Sequence, residues 1–261
     1  MSKDSSSSNQ EEKSKAPKKA HIGKAILTVI AVLFSFLAAQ FIGIVLFVSV
    51  LSAFGKNTDQ IQAILTDNAW AQFGAILLIE ILTVGLVYFY LKITKRNIIS
   101  YLKLRKPALS IFGLTGLFYI GYFFAFVILA AVASNLAPAL DTEQMQQIGF
   151  ENTSGIDYIA VFIALAVLPP IAEEIVFRGV LFQKLKQYTA LIPAAVVTSV
   201  LFGIAHLEFF SDASLNWIAA LDTFIFSFFL VGLYVKTKSL WAPILLHALK
   251  NSVAFVFLFL F

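Results

Sequence analysis

The 261-residue chain is 59% hydrophobic and 13% charged, with a mean hydropathy of +0.86. A soluble domain needs a charged surface, so this composition excludes one and indicates a multi-pass membrane protein. The net charge of +4 does not indicate nucleic-acid binding, because the basic residues gather at the ends of apolar segments, and the absence of cysteine excludes disulfides, thiolate metal sites and cysteine nucleophiles.

Residues 1–24 read as a disordered basic cytoplasmic tail, with a serine run from Ser5 to Ser8 and lysines at 13, 15, 18, 19 and 24. The apolar run from Ala25 to about Phe54 is roughly 30 residues long, well beyond a signal-peptide h-region, and so predicts an uncleaved anchor. Further apolar runs fall at about 69–91, 109–137, 157–185, 190–207, 215–235 and 240–261. Residues 25–261 are therefore expected to form one all-α transmembrane domain of about seven helices, the fifth short, with a motif-bearing core at 157–261.

Basic residues fall on one side when the spans alternate: the tail, the stretch from Lys92 to Lys106, Lys184 with Lys186, and Lys236 with Lys238. The opposite connections carry Asp59, Asp67, Asp141, Glu143, Glu151 and Asp157. This asymmetry predicts a cell-membrane protein with its N-terminus in the cytoplasm.

The polar residues inside the spans are the informative ones, since each ionised group at the bilayer centre costs roughly 2.5–3.5 kcal/mol on insertion scales. Pro169-Pro170 interrupts the fourth span, and a new helix is expected to start with Pro170 at its first position, placing Glu173 and Glu174 in its first turn. Glu174 and Arg178 are four residues apart and can pair. A structural ion pair accounts for those two but leaves Glu173 over. In the next span Phe202 and His206 share a face, and in the last His247 and Asn251 do the same. Taken singly, each is an ordinary packing feature.

Depth connects them. Glu173 and His206 are each about 16 residues, roughly 25 Å of helix, from a turn near residues 188–190, so they can face each other across an antiparallel pair. His247 is only about eight residues from the Lys238-Ser239 turn, roughly 12 Å. It shares their level only if the 188–190 hairpin projects beyond the membrane by about two turns. Glu80, Asp222 and Lys250 also lie within spans, and Lys250 is expected to pair with an acid or to line a hydrated cavity.

With these residues the chain resembles the CPBP family of intramembrane peptidases, which groups type II CAAX prenyl endopeptidases with bacteriocin-processing and self-immunity proteins. The resemblance rests on EExxxR at Glu173, Glu174 and Arg178, FxxxH at Phe202 and His206, and HxxxN at His247 and Asn251, in the family's order and within residues 170–251. It implies a polar intramembrane cavity in which a peptide or lipidated-protein substrate is hydrolysed. Glu173 and His206 would activate water while His247 and Asn251 stabilise the oxyanion. Alternatively, Glu173, His206 and His247 would hold Zn2+ with one position open, as His₂Glu sites do.

Two other classes compete. A non-catalytic immunity or binding scaffold could use the same cavity, although it has no need of a base beside a histidine. A proton-coupled transporter would relay protons through such groups, but the sequence lacks the paired broken helices in two halves that transporters show.

Overall fold

The computed structural model describes residues 19–105, 107–136, 150, 152–207 and 216–261. The serine run, Asp141, Glu143, Glu151, Glu208 and Asp212 lie outside the described residues. The protein is all-helical, with no strand among the described residues. Helix α1 spans Lys19–Ala53, so residues 19–24 continue the first helix and do not belong to a disordered tail.

A short helix α2 (Thr58–Asp67) is started by a capping box between Asn57 and Gln60, and α3 (Ala69–Ile93) by the Asn68 side chain, which accepts from the Ala71 amide. Asn97 caps the single turn α4 (Ile98–Tyr101), and α5 runs over Ser110–Leu136.

The motif-bearing span is composite. Helix α6 (Asp157–Ala166) breaks at Val167, and α7 (Leu168–Glu174) carries the two prolines in its first turn. A π-helical segment over Ile175–Phe182 follows, and then α8 (Gln183–Tyr188). The helix thus begins at Leu168, two residues before Pro170. Glu173 and Glu174 sit at the end of α7, away from the positive dipole end expected to favour them. The prolines tolerate the first turn because its amides have no intrahelical acceptor.

Helix α9 (Leu191–Ile204) is followed by α10 (Trp217–Thr237), capped by Asn216, and by α11 (Trp241–Phe259). Among the described residues six helices are long and apolar enough to cross a membrane. The expected fifth span is the 14-residue α9, about 21 Å long and short of a hydrocarbon core of roughly 30 Å. The count of about seven spans therefore becomes six full-length helices and one short one.

Burial ranks these helices. Half of the most apolar window of the α6–α8 span is buried, against 11% for α1 and 6% for α5, which expose their apolar side chains outward as lipid-facing helices do. The composite span is the centre of the bundle, and α1, α3, α9 and α11 pack around it. Close approach of α9 to α10 depends on Gly203. A Cβ there would lie 2.7 Å from the Ala220 carbonyl oxygen and 3.0 Å from Phe224 Cβ. Gly203→Val should therefore destabilise the fold by about 1–3 kcal/mol through overpacking, read as a lower unfolding midpoint of the purified protein in detergent.

Candidate active site

The π-helical segment is wholly buried from Ile175 to Phe182 and carries Arg178 at 0% exposure. Widened turns of this kind occur often at functional sites, because they re-aim side chains that an α-helix would stack. Here the guanidinium is aimed back at Glu174: Arg178 Nη1 donates to Glu174 Oε1 at 2.7 Å, and Nη2 donates to Ser227 Oγ of α10 at 2.6 Å. The guanidinium also lies over the Phe202 ring, 4.4 Å from its centroid. The expected Glu174–Arg178 pair is present, and in this setting it is a fully desolvated ion pair braced from two neighbouring helices.

Glu174 serves a second partner. Its Oε1 is 3.1 Å from His247 Nδ1. A carboxylate oxygen can only accept, so His247 carries its proton on Nδ1 and turns Nε2 the other way. His247 Nε2 lies 4.0 Å from Glu173 Oε2. This contact brings α7 and α11 to one depth, as the projecting-hairpin condition required; Lys186 and Gln187 next to that hairpin are exposed.

His206 lies just past the end of α9, in the turn after Ile204. Its Nδ1 donates to the Phe202 carbonyl at 2.7 Å, which leaves Nε2 as the nitrogen without a hydrogen-bond partner among the described residues. The Phe202 ring is the hub between the two histidines, with centroid distances of 4.9 Å to His206 and 5.8 Å to His247. Among the described residues the histidine within 4.0 Å of Glu173 is His247, and not the expected His206.

Asn251 has a structural task the spacing did not show. Its Nδ2 donates to the Leu165 carbonyl at 2.8 Å. Leu165 is four residues before Pro169, and proline has no amide hydrogen to offer it. Asn251 therefore ties α11 to the proline break that positions Glu173, and one amide hydrogen is left for another acceptor. Asn251→Ala should destabilise the protein by about 1–3 kcal/mol, since the carbonyl loses its partner in an apolar setting, again read as a fall in unfolding midpoint.

Lys250 pairs with an acid, as expected. Its Nζ is 2.7 Å from Asp222 Oδ2, and the Tyr122 hydroxyl donates to the other oxygen of the same carboxylate. The Lys250 ammonium also lies 5.0 Å from the Phe226 ring centroid, whose ring in turn packs against His247.

Glu80, which the motifs do not include, comes from α3 and is nine-tenths buried. Helix α3 packs against α7, which carries Glu173. Neither Glu80 Oε2 nor Glu173 Oε2 has a hydrogen-bond partner among the described residues. Buried polar atoms are nearly always satisfied, so these two oxygens mark a polar interior at this level of the bundle.

The residues of the alternative zinc set are Glu173, His206 and His247. Among the described residues no three His, Asp or Glu side chains are grouped to hold a metal ion. His206 and His247 each have Nδ1 engaged, by the Phe202 carbonyl and the Glu174 carboxylate, and each presents Nε2, an orientation that suits either a water or a metal ion.

Residues 155–253 match the family model described as "Type II CAAX prenyl endopeptidase Rce1-like". The chain is 35% identical over 92 residues to a Bacillus subtilis (strain 168) protein named as membrane peptidase YdiL, a stretch that covers 35% of this chain and 34% of the relative. It is 32% identical over 111 residues to the "Membrane-embedded CAAX protease MroQ" of Staphylococcus aureus (strain USA300), covering 38% of this chain and 40% of the relative. The aligned stretches thus span less than half of either relative, and no solved structure matches significantly. The matched residues hold all three motifs and every side chain placed around Phe202, so the similarity to the Rce1-like model of type II CAAX prenyl endopeptidases falls on the candidate site itself.

Proposed function

We propose that the protein is an intramembrane endopeptidase that hydrolyses a peptide bond of a membrane-associated peptide or protein, with Glu173 as the base that activates water. The observation that carries this reading is the opposition of Glu173 Oε2 and His247 Nε2 at 4.0 Å. Both atoms are acceptors, and a water donating one hydrogen to each fits between them. The family match supports a peptidase.

In the proposed reaction Glu173 takes a proton from this water while its oxygen bonds to the scissile carbonyl carbon. The second amide hydrogen of Asn251 meets the oxyanion, while His247 Nε2 accepts from the hydrogen that stays on the attacking oxygen. Collapse breaks the C–N bond, and Glu173 passes its proton to the leaving nitrogen. Glu174 acts through His247 by fixing its tautomer, and Arg178 acts through Glu174.

The test is cleavage of a quenched-peptide panel, prenylated and leader-type sequences included, by purified wild type and Glu173→Ala in detergent. Cleavage by wild type that is lost in the variant is the expected result. Equal cleavage by both would remove Glu173 from the mechanism. A chelator arm addresses zinc: inhibition reversed by added zinc would mean that Glu173, His206 and His247 close on the ion when it binds. Should an in-cell immunity phenotype survive Glu173→Ala at normal expression, a binding scaffold becomes the better reading.

The lysines on the side of the tail further support a multi-pass cell-membrane protein with a cytoplasmic N-terminus, on which the substrate would approach from the cytoplasm or inner leaflet.

A further inference from the structure

At the end of the bundle where α10 turns into α11, a cavity of about 330 Å³ opens between that turn and the α7–α8 span. Its walls include Lys103, Lys186 and Lys238, together with Phe182, Gln183 and Tyr234, and among the described residues none of its lining is acidic. We propose that this cavity is a binding site for a phosphate oxyanion, of the kind carried by an anionic phospholipid headgroup or by free phosphate.

Three observations carry the assignment. The first is convergence. Insertion rules account for lysines at the ends of spans, but solvated lysines would splay apart, whereas these three line one hollow. Lys103 is held there by its surroundings: its Nζ lies over the Tyr234 ring, 4.7 Å from the centroid, and its carbonyl accepts from the Leu240 amide at 3.1 Å. That bond pins the stretch after α4 to the α10–α11 turn, so Lys103 and Lys238 are carried by two segments tied together.

The second observation is a polar group in want of a partner. Tyr234 is 1% exposed, its hydroxyl has no hydrogen-bond partner among the described residues, and it lines this cavity. A buried hydroxyl seldom goes unmatched, and a phosphate oxygen entering between the lysines is an acceptor it can reach.

The third is electrostatic. Burial first, and then the charges of Lys186, Arg105 and Lys238, hold the Lys103 ammonium below the ordinary lysine value. An anion in the cavity removes that repulsion, so the site is arranged to gain from binding one. Its level is suitable as well: Lys238 directly follows α10, where a spanning helix leaves the hydrocarbon and phospholipid headgroups begin.

The site is separate from the residues placed around Phe202, and its test does not require peptidase activity. The full chain, purified in detergent, would be titrated with inorganic phosphate and, in parallel, reconstituted into nanodiscs containing phosphatidylglycerol or phosphatidylcholine, with bound lipid counted by native mass spectrometry. Wild type should retain phosphatidylglycerol over phosphatidylcholine, or bind phosphate with a rise in unfolding midpoint that sodium chloride at equal ionic strength does not reproduce. Retention of lipid alone assigns the site to a headgroup, and a response to phosphate alone assigns it to the free ion. The combined Lys103→Gln, Lys186→Gln, Lys238→Gln variant should weaken whichever binding is seen by tenfold or more. Tyr234→Phe, which removes one oxygen and leaves the packing, should weaken it severalfold. Binding equal in wild type and the triple variant would overturn the proposal, as would no response in either arm or one matched by sodium chloride.

Discussion

A Glu173→Gln variant should turn over a cleaved peptide about 10³-fold more slowly than wild type, with KM little changed and the unfolding midpoint preserved. Glutamine has the shape of glutamate, and the Glu173 side chain is 16% exposed, so the substitution fits without repacking. What it removes is the ability to take a proton, and a positioned general base contributes about 10²–10⁴ in rate. Glu174 also has an unpartnered Oε2, but its Oε1 is already shared between Arg178 and His247, which commits that carboxylate to holding them and leaves Glu173 for the water. A steady-state comparison of kcat and KM on one peptide, alongside thermal unfolding, checks the prediction. An unchanged kcat would show that another group activates the water.

The spans, the three motifs and the pairing of Glu174 with Arg178 were legible in the sequence because each rests on composition or on a spacing within one helix. Lys250 was legible in the same way, since an ammonium among apolar residues needs an anion. The arrangement across helices was not. The expected pairing of Glu173 with His206 counts residues at a uniform helical rise, but eight residues from Ile175 to Phe182 are π-helical, and a widened turn changes both the rise and the direction of every side chain after it. Glu80 was legible as an acid in an apolar span, yet nothing local says which helix it faces. The task of Asn251 could have been inferred: Pro169 leaves the Leu165 carbonyl without an amide partner, and an asparagine elsewhere in the bundle is a suitable donor. The lysines of the basic cavity were visible as orientation signals, but their convergence depends on the bond between Lys103 and Leu240, which joins segments far apart in sequence.

Replacing Arg178 by alanine should destabilise the protein by about 3–5 kcal/mol, because it leaves the Glu174 carboxylate charged and unpaired in the core. Both side chains are at 0% exposure, so water cannot take over the lost hydrogen bonds. The lost volume adds to the effect, since the guanidinium also packs on the Phe202 ring. The double replacement Glu174→Leu with Arg178→Met removes both charges and keeps an apolar volume, and should restore most of the unfolding midpoint, as buried pairs replaced by apolar groups commonly do. Peptide cleavage should not return with it. His247 Nδ1 would have lost the carboxylate that fixes its tautomer, and with it the presentation of Nε2 toward Glu173. Stability recovered without activity would assign the pair to positioning His247, whereas full activity in the double variant would reduce it to a packing element and leave His247 oriented by Phe202 and Phe226 alone.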